Sequence, residues 1–186
     1  MISLRYYTGD GVELSPVEQS LYGKDDVVRQ ATRAAIRRFV NRYRELLTGR
    51  VLDYGCGKIG TCAIPQPYRS LLAQGTDYHG WEPGDAPPKA GEWDSILCTQ
   101  VVQNIENPDY VIEEFCHYLK PRGYLVMTYP TAWEEIETER WRFTKAGAWL
   151  LCHEAGLIVL SDEPLVEVKL DGSLNLTLVR GLVAQR

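Results

Sequence analysis

The sequence predicts an α/β protein whose sheet is parallel at first and antiparallel at its end. Short apolar runs typical of buried strands alternate with segments of helical period along most of the chain. Asp171-Gly172, which separates the last two such runs, is typical of a hairpin turn. Alternating strands and helices favour a layered parallel sheet, and a closing hairpin adds an antiparallel pair to it.

The first half of the core is predicted as helix, strand, weak helix, strand and strand. Val28, Ala31, Ala35 and Phe39 recur at helical spacing. The apolar run 50–54 stops at glycines and reads as a buried strand, and a weak helix follows it. The next two strands are expected at 78–82 and 93–99, joined by a Pro/Gly-rich connection.

The second half of the core has clearer helix start and stop signals. Asn107-Pro108 marks a helix start, and a strand is expected at 124–129. Thr144 is a suitable cap for a helix that Gly156 ends. The last two strands are expected at 158–160, extending toward residue 168, and at 174–183.

The 186 residues fit one domain, because 45% are hydrophobic and no repeat or linker interrupts them. We assign 1–23 to a loose arm, 24–47 to a leading helix and 50–186 to the α/β core. The net charge of −5 argues against binding to nucleic acid or a membrane surface. No apolar run approaches the roughly 18 residues of a membrane span. Residues 1–5, Met-Ile-Ser-Leu-Arg, are not typical of a secretory signal, so we expect none there. The oligomeric state stays open.

The five cysteines indicate neither a metal site nor a disulfide framework. They are scattered, and Cys56 and Cys62 have no matching second pair. We therefore expect no metal and a reducing, cytoplasmic location.

The turn after the first core strand carries the clearest functional pattern. Gly55-Cys56-Gly57-Lys58-Ile59-Gly60 has the spacing G-x-G-x-x-G, and Glu82 lies 22 residues after Gly60. Glycines let the backbone approach a ligand, and a carboxylate at the end of the next strand can accept hydrogen bonds from ribose hydroxyls. An ordinary strand-to-helix turn would need the same glycines.

Asp53 separates two kinds of nucleotide ligand. A carboxylate two residues before the first glycine would repel a pyrophosphate and attract an ammonium group. A nicotinamide enzyme would also need more chain for a substrate domain. The residues therefore favour a ligand with a ribose and a cationic end, and S-adenosylmethionine has that chemistry.

Four stretches together resemble the class I S-adenosylmethionine-dependent methyltransferases, in particular the small enzymes called type 11. Residues 51–57 are similar to the first motif of that family, and residues 93–102 to its fourth-strand motif. Residues 107–125 resemble the helix, turn and fifth strand that follow, and residues 142–157 the late helix. The resemblance implies a Rossmann-like sheet of strand order 3-2-1-4-5-7-6 whose last strand is antiparallel.

The same resemblance implies the cofactor and its contacts. Asp53 would hold the methionine ammonium, and Glu82 would bind the ribose. Thr99 and Gln100 would line the methyl-transfer mouth. The remaining expected cofactor contacts belong to the turn and are Tyr54, Gly55, Cys56, Gly57 and Gly60. No catalytic residue is identified, since methyl transfer from a sulfonium requires alignment above all.

The sequence departs from the family at two functional places. The connection 83–92 is too short for the usual helix and third strand, which predicts six strands instead of seven, and Asp85 is its one candidate for contacting adenine. Gln103-Asn104 stands where relatives often carry Glu-His. We therefore hold two functions: methyl transfer to a small-molecule, sugar or lipid-precursor acceptor, or a catalytically degenerate scaffold or regulatory subunit.

An acidic, tryptophan-containing stretch, 130–142, is expected to form the acceptor wall. It follows the fifth strand, and ligands bind outside the carboxyl ends of strands in open α/β sheets. Trp133 and Trp141 would contact a flat or apolar acceptor. The alternative is an acidic surface helix with its tryptophans buried.

Overall fold

The computed structural model describes residues 5–8, 23–57, 68–82, 84–131, 140–170 and 174–186. Three α-helices are described, α1 (Gly23–Arg42), α2 (Pro108–Tyr118) and α3 (Lys145–Glu154). Seven strands are described, β1 (Arg5–Thr8), β2 (Arg50–Tyr54), β3 (Asp77–Trp81), β4 (Trp93–Thr99), β5 (Leu119–Pro130), β6 (Ile158–Leu170) and β7 (Leu174–Gln185). Short 3-10 turns lie at Arg44–Leu46, Arg69–Leu71 and Val102–Asn104.

All seven described strands form one sheet in the order β1-β6-β7-β5-β4-β2-β3. Strands β3, β2, β4 and β5 are parallel to one another, whereas β7 is antiparallel to both β5 and β6. The predicted α/β class with an antiparallel end is confirmed. Six of the strands follow the expected family order, and no described strand takes the place of the family's third strand beside β3.

The loose arm predicted for 1–23 is wrong at Arg5–Thr8, which forms strand β1. This strand pairs antiparallel with β6, from Arg5 opposite Lys169 to Thr8 opposite Val166. The outer edge of β6 offers unpaired backbone groups, and β1 satisfies them by hydrogen bonding. A strand of four residues is too short to show a period in sequence, so the sheet gains a strand that the sequence analysis did not predict.

Both faces of the sheet are buried. Alternate residues of each strand point to opposite sides, and each side packs in its own hydrophobic cluster. Leu52 and Ile96 pack in a cluster with α2 and α3, whereas Val51 and Leu97 pack in a second cluster with α1. The helices therefore cover both sides of the parallel strands. Among the described helices, none combines the length and apolar character needed to cross a membrane.

Two local expectations differ from the structure, and a third is confirmed. Helix α1 ends at Arg42 and is continued only by a 3-10 turn, not by a helix to residue 47. The weak helix expected after the glycine turn is, in its described part, a single 3-10 turn at Arg69–Leu71. Thr144 caps α3 as predicted, since its Oγ1 accepts a hydrogen bond of 3.0 Å from the Gly147 N–H. The hairpin turn at Asp171-Gly172 lies outside the described residues.

Candidate active site

The carboxyl ends of three neighbouring parallel strands bring the predicted site residues together. In the register of the sheet, Asp53 of β2 lies between Gly80 of β3 and Leu97 of β4. The turn after β2 folds across the end of β3, because the Gly55 N–H donates to the Trp81 carbonyl at 2.8 Å. This arrangement places the acid, the glycine turn and the start of the following connection at one edge of the sheet.

The glycine turn has a conformation that side chains oppose. Gly55 and Gly57 have φ angles of +78° and +75°, in the left-handed region that favours glycine. A Cβ at position 55 would also lie 2.3 Å from Cγ2 of Val101. Backbone conformation and packing therefore account for Gly55 whether or not a ligand approaches it.

Asp53 is a buried acid with a hydroxyl partner. Its side chain is 1% exposed, and its Oδ2 accepts a hydrogen bond from the Tyr78 hydroxyl. Burial raises the pKa of Asp53 to about 7, while the hydrogen bond from Tyr78 lowers it and the charge of Glu82 raises it further. A carboxylate this poorly solvated favours a cationic partner, since a nearby positive charge offsets its desolvation.

Glu82 lies directly after β3 and joins the turn to the next connection. Its Oε1 accepts a hydrogen bond from the Gly57 N–H, so the carboxylate is held against the glycine turn. The Glu82 N–H donates to Oδ2 of Asp85 at 2.9 Å, and the Asp85 N–H donates back to the Glu82 carbonyl at 3.0 Å. Asp85, the candidate for contacting adenine, therefore caps the backbone at Glu82.

The other predicted turn residues differ in what their side chains can reach. The ring of Tyr54 is buried and stacks on Trp81, with 4.4 Å between the ring centroids. It meets the ring of Phe115 edge-on at a centroid distance of 4.8 Å. Any contact from Tyr54 to a ligand would therefore come from its backbone. Cys56 is half-buried, and burial together with the charges of Asp53 and Glu82 raises the pKa of its thiol to about 11. Gly60 lies outside the described residues.

A network of amides and hydroxyls occupies the end of β4. Thr99 Oγ1 donates to the Tyr68 hydroxyl at 3.3 Å. Gln100 has a φ of +55°, unusual for a residue other than glycine, and both its N–H and its Nε2 donate to Oγ1 of Thr128, at 3.1 and 3.2 Å. The buried Gln103 donates from Nε2 to Oε1 of Gln100 at 3.3 Å, and its own Oε1 has no hydrogen-bond partner among the described residues.

The loop after β5 is anchored to this network by its backbone. The N–H groups of Arg140 and Trp141 both donate to the carbonyl of Gln103, at 2.8 and 3.1 Å. The Trp141 indole donates to the Ile105 carbonyl at 2.8 Å and is 43% exposed. The expected acceptor wall thus presents one exposed tryptophan beside Gln103, while Trp133 lies outside the described residues.

The sequence did not reveal Tyr78 as a site residue, and it did not indicate that Gln103 is buried. Tyr78 contacts Asp53 because both project from the same face of adjacent strands, a fact that depends on register. Gln103 was noted as a departure from Glu-His, but its burial was not foreseen. Alternation within β3 was the available signal for Tyr78, since it shares a face with Gly80.

No group of three or more His, Cys, Asp or Glu residues suited to a metal ion occurs in the described ranges. His79 forms a contact of 2.7 Å with the Asp77 carboxylate and meets the Trp93 ring edge-on at 5.3 Å. These contacts agree with a structural role for this histidine.

A family model described as a methyltransferase domain matches residues 28–157. No curated protein sequence matches the chain. Residues 28–157 include β2, β3, β4 and β5 and therefore the whole of the strand-end site.

Solved structures share the fold at low sequence identity. An S-adenosylmethionine-dependent methyltransferase from Archaeoglobus fulgidus superposes with a TM-score of 0.62 at 13% identity, covering 83% of this chain and 94% of that one. A possible histamine N-methyltransferase from Thermotoga maritima gives 0.53 at 17% identity, covering 87% and 95%. A putative methyltransferase from Haloferax volcanii, solved in complex with the Trm112 methyltransferase activator, gives 0.55 at 15% identity, covering 85% and 94%. At such identities the likeness shows the fold alone.

Proposed function

The chain belongs to the methyltransferase domain family, and we propose that it is a class I S-adenosylmethionine-dependent enzyme that methylates a small-molecule acceptor at the carboxyl ends of β2, β3 and β4. The observation that carries the proposal is the buried Asp53 beside the glycine turn, with Glu82 held against the same turn. S-Adenosylmethionine is the cofactor, and these residues suit its two polar ends.

Each of these residues has a distinct role in the proposal. Asp53 would accept the ammonium group of the cofactor, because its buried carboxylate favours a cation. Gly55 and Gly57 would let the backbone approach the cofactor. Glu82 uses Oε1 to accept from the Gly57 N–H, and its second oxygen would accept hydrogen bonds from the ribose hydroxyls.

When bound, the cofactor supplies a methyl group already activated by its sulfonium. The protein's part is therefore to orient the acceptor and exclude water, with a base required only when the acceptor loses its proton early. Thr99 and Gln100 stand at the end of β4 and would line the transfer mouth. The described network of Gln100, Gln103 and Thr128 is neutral and positions amide and hydroxyl groups without supplying a base.

The exposed Trp141 supports a small acceptor. Its backbone is held by the Gln103 carbonyl, and its indole offers an apolar face beside the neutral network. A flat or apolar small molecule, or a sugar or lipid precursor with an apolar part, fits this surface. The net charge of −5 gives no support to a nucleic-acid substrate. The scattered cysteines, of which the four described are free, support a cytoplasmic location.

A second candidate function is a catalytically degenerate scaffold or regulatory subunit that keeps the cofactor site. Gln103-Asn104, in place of titratable residues, and the short connection 83–92 favour it. The Haloferax volcanii neighbour, which is solved with an activator protein, is an example of this fold in a complex.

Calorimetric titration with S-adenosylhomocysteine tests the cofactor site. We expect micromolar binding, and Glu82→Gln should weaken it about tenfold through the loss of a charge-assisted hydrogen bond. Glu92→Gln is the matched control, because Glu92 pairs with Arg50 at the opposite end of β2 and should leave the affinity unchanged. Failure of the wild-type protein to bind would overturn the proposed site.

Transfer of a labelled methyl group decides between the two functions. The protein is incubated with methyl-labelled S-adenosylmethionine and, in parallel, with a panel of small phenols, amines and carboxylates, with RNA and with protein. Label in small acceptors alone supports the first function. Label in RNA or protein would contradict the acceptor class, and binding without any transfer would favour the scaffold.

A further inference from the structure

Tyr78 donates a side-chain hydrogen bond to Asp53, the predicted ammonium-binding acid. Its hydroxyl donates to Oδ2 of Asp53, and both side chains are buried. No described residue donates to Oδ1 of Asp53. One carboxylate oxygen is therefore fixed by a neutral donor, and the other has no donor within the described part of the chain.

The strand register explains why Tyr78 reaches this acid. Tyr78 pairs with Val51, one repeat before Asp53, and Gly80 is the residue of β3 directly opposite Asp53. Because Gly80 contributes no side chain, Tyr78 is the described residue of β3 whose side chain reaches Asp53 on this face. On the other side Asp53 is flanked by the apolar, buried Leu97.

We propose that Tyr78 is a positioning residue for the cofactor, whose hydroxyl orients the Asp53 carboxylate so that its second oxygen receives the ammonium group. This inference rests on the proposed function of Asp53. It adds a residue outside the glycine turn that determines affinity for the amino-acid end of the cofactor.

Electrostatics supports the same role. The hydrogen bond from Tyr78 favours the charged carboxylate and opposes the effect of burial on the pKa of Asp53, which lies at about 7. A phenol also suits this position because burial and the neighbouring Asp53 raise its pKa, so that it stays a donor. Among the described residues, the titratable groups coupled to this pair are Glu82 after β3, Cys56 in the turn, Cys98 on β4 and Tyr68 before the 3-10 turn. The Arg69 guanidinium lies 5.9 Å from the centre of the Tyr78 ring and adds a positive charge on that side.

Calorimetric titration of Tyr78→Phe with two ligands tests the proposal. S-Adenosylhomocysteine carries the ammonium group, whereas 5′-methylthioadenosine lacks the whole amino-acid end. We expect Tyr78→Phe to weaken binding of S-adenosylhomocysteine about tenfold at pH 7, since the lost hydrogen bond is to a charged group. The affinity for 5′-methylthioadenosine should stay within about twofold of the wild-type value. As the pH is lowered, the affinity for S-adenosylhomocysteine should fall to half of its high-pH value about one unit earlier in the variant than in the wild-type protein. The reason is that the carboxylate loses its hydrogen-bond donor and is protonated at a higher pH.

Two further variants keep the result interpretable. Tyr43→Phe is the matched control, because it also removes a partly buried tyrosine hydroxyl, which donates to Ser161 Oγ at 2.9 Å. Tyr43 packs against the same hydrophobic cluster that contains Tyr78. It should change neither affinity. Asp53→Asn should lose selectivity for S-adenosylhomocysteine, and adding Tyr78→Phe to it should cost no more, as expected for two residues that act through one contact.

Three outcomes would overturn the inference. Equal weakening of both ligands by Tyr78→Phe would mean a purely structural role, and so would additive losses in the double variant. An unchanged pH profile would mean that the hydroxyl does not act on Asp53. If the wild-type protein binds neither ligand, the proposed function itself fails, which is a different result from a failure confined to Tyr78.

Discussion

The side chain of Val101 occupies the space in which a side chain at position 55 would lie. A Cβ on Gly55 would be 2.3 Å from Val101 Cγ2 and 2.9 Å from its Cγ1. Because Gly55 also has a φ of +78°, the turn depends on glycine for two separable reasons, conformation and packing.

Gly55→Ala should therefore lower the free energy of unfolding by about 2–4 kcal/mol, combining left-handed strain with overpacking. Val101→Ala in the same chain should recover the packing part and leave the strain of about 1–2 kcal/mol. Urea unfolding of the two single variants and the double variant measures both parts. Additive losses in the double variant would show that Val101 is not the obstacle.

Asp53 should make stability depend on pH. Its pKa is raised to about 7 from an ordinary value of 3.8, so the folded state binds a proton that the unfolded state releases between these values. The free energy of unfolding contributed by this group is therefore fully present below about pH 4 and is lost as the pH rises through 7. Each unit of pKa corresponds to about 1.4 kcal/mol.

Asp53→Asn isolates that contribution, because asparagine keeps an acceptor for Tyr78 and carries no charge. The stability of this variant relative to the wild-type protein should rise by a few kcal/mol, on the order of 2–4, between pH 5 and pH 8. Urea unfolding at the two pH values measures it. A difference that is constant, or that falls with pH, would contradict the raised pKa.

Two ion pairs, each formed by an arginine and a carboxylate of β6, should differ sharply in their contribution to stability. Arg180 Nε lies 2.6 Å from Oδ1 of Asp162, whose side chain is fully buried, and Tyr129 and Trp149 donate to Oδ2 at 3.0 and 2.7 Å. Arg180→Met leaves that carboxylate without its cation and should cost about 3–5 kcal/mol.

The more exposed pair of Arg42 with Glu163, whose side chains are 56% and 25% exposed, is the comparison. Arg42→Met should cost less than about 1 kcal/mol, because solvent screens an exposed ion pair. Chemical denaturation of both variants gives the two numbers. Similar losses in the two would mean that burial does not determine the contribution of these pairs.

Gly181 on β7 is required by the helix that covers it. A Cβ at this position would lie 2.5 Å from Cε2 of Phe39, which is buried on α1. Gly181→Ala should lower stability by about 1–3 kcal/mol through overpacking, and Phe39→Leu in the same chain should restore part of the loss. Thermal unfolding measures this, and an unaffected midpoint in Gly181→Ala would show that α1 moves away freely.

Buried apolar runs made several elements predictable. Strand β4 runs from Trp93 to Thr99 as expected, because Ile96, Leu97 and Cys98 are apolar in succession and buried on both faces. Helix α2 begins at Pro108, where its fixed φ suits the first turn. Strand β5, by contrast, begins at Leu119, five residues before the predicted start. Its polar first residues suggested a turn, yet Lys120 pairs with Asp94 at 2.8 Å across the strands.

By itself the sequence determined the order of the core strands and helices, the glycine turn and the two acids, Asp53 and Glu82, at the carboxyl ends of parallel strands. Local pattern is sufficient for these features, since parallel strands end at a common edge of the sheet. Only the tertiary structure decided that β1 completes the edge of β6, that Tyr78 donates to Asp53 and that Gln103 is buried with its carbonyl bound to the Trp141 N–H. These relationships depend on register and packing between residues distant in sequence, and no local period encodes them.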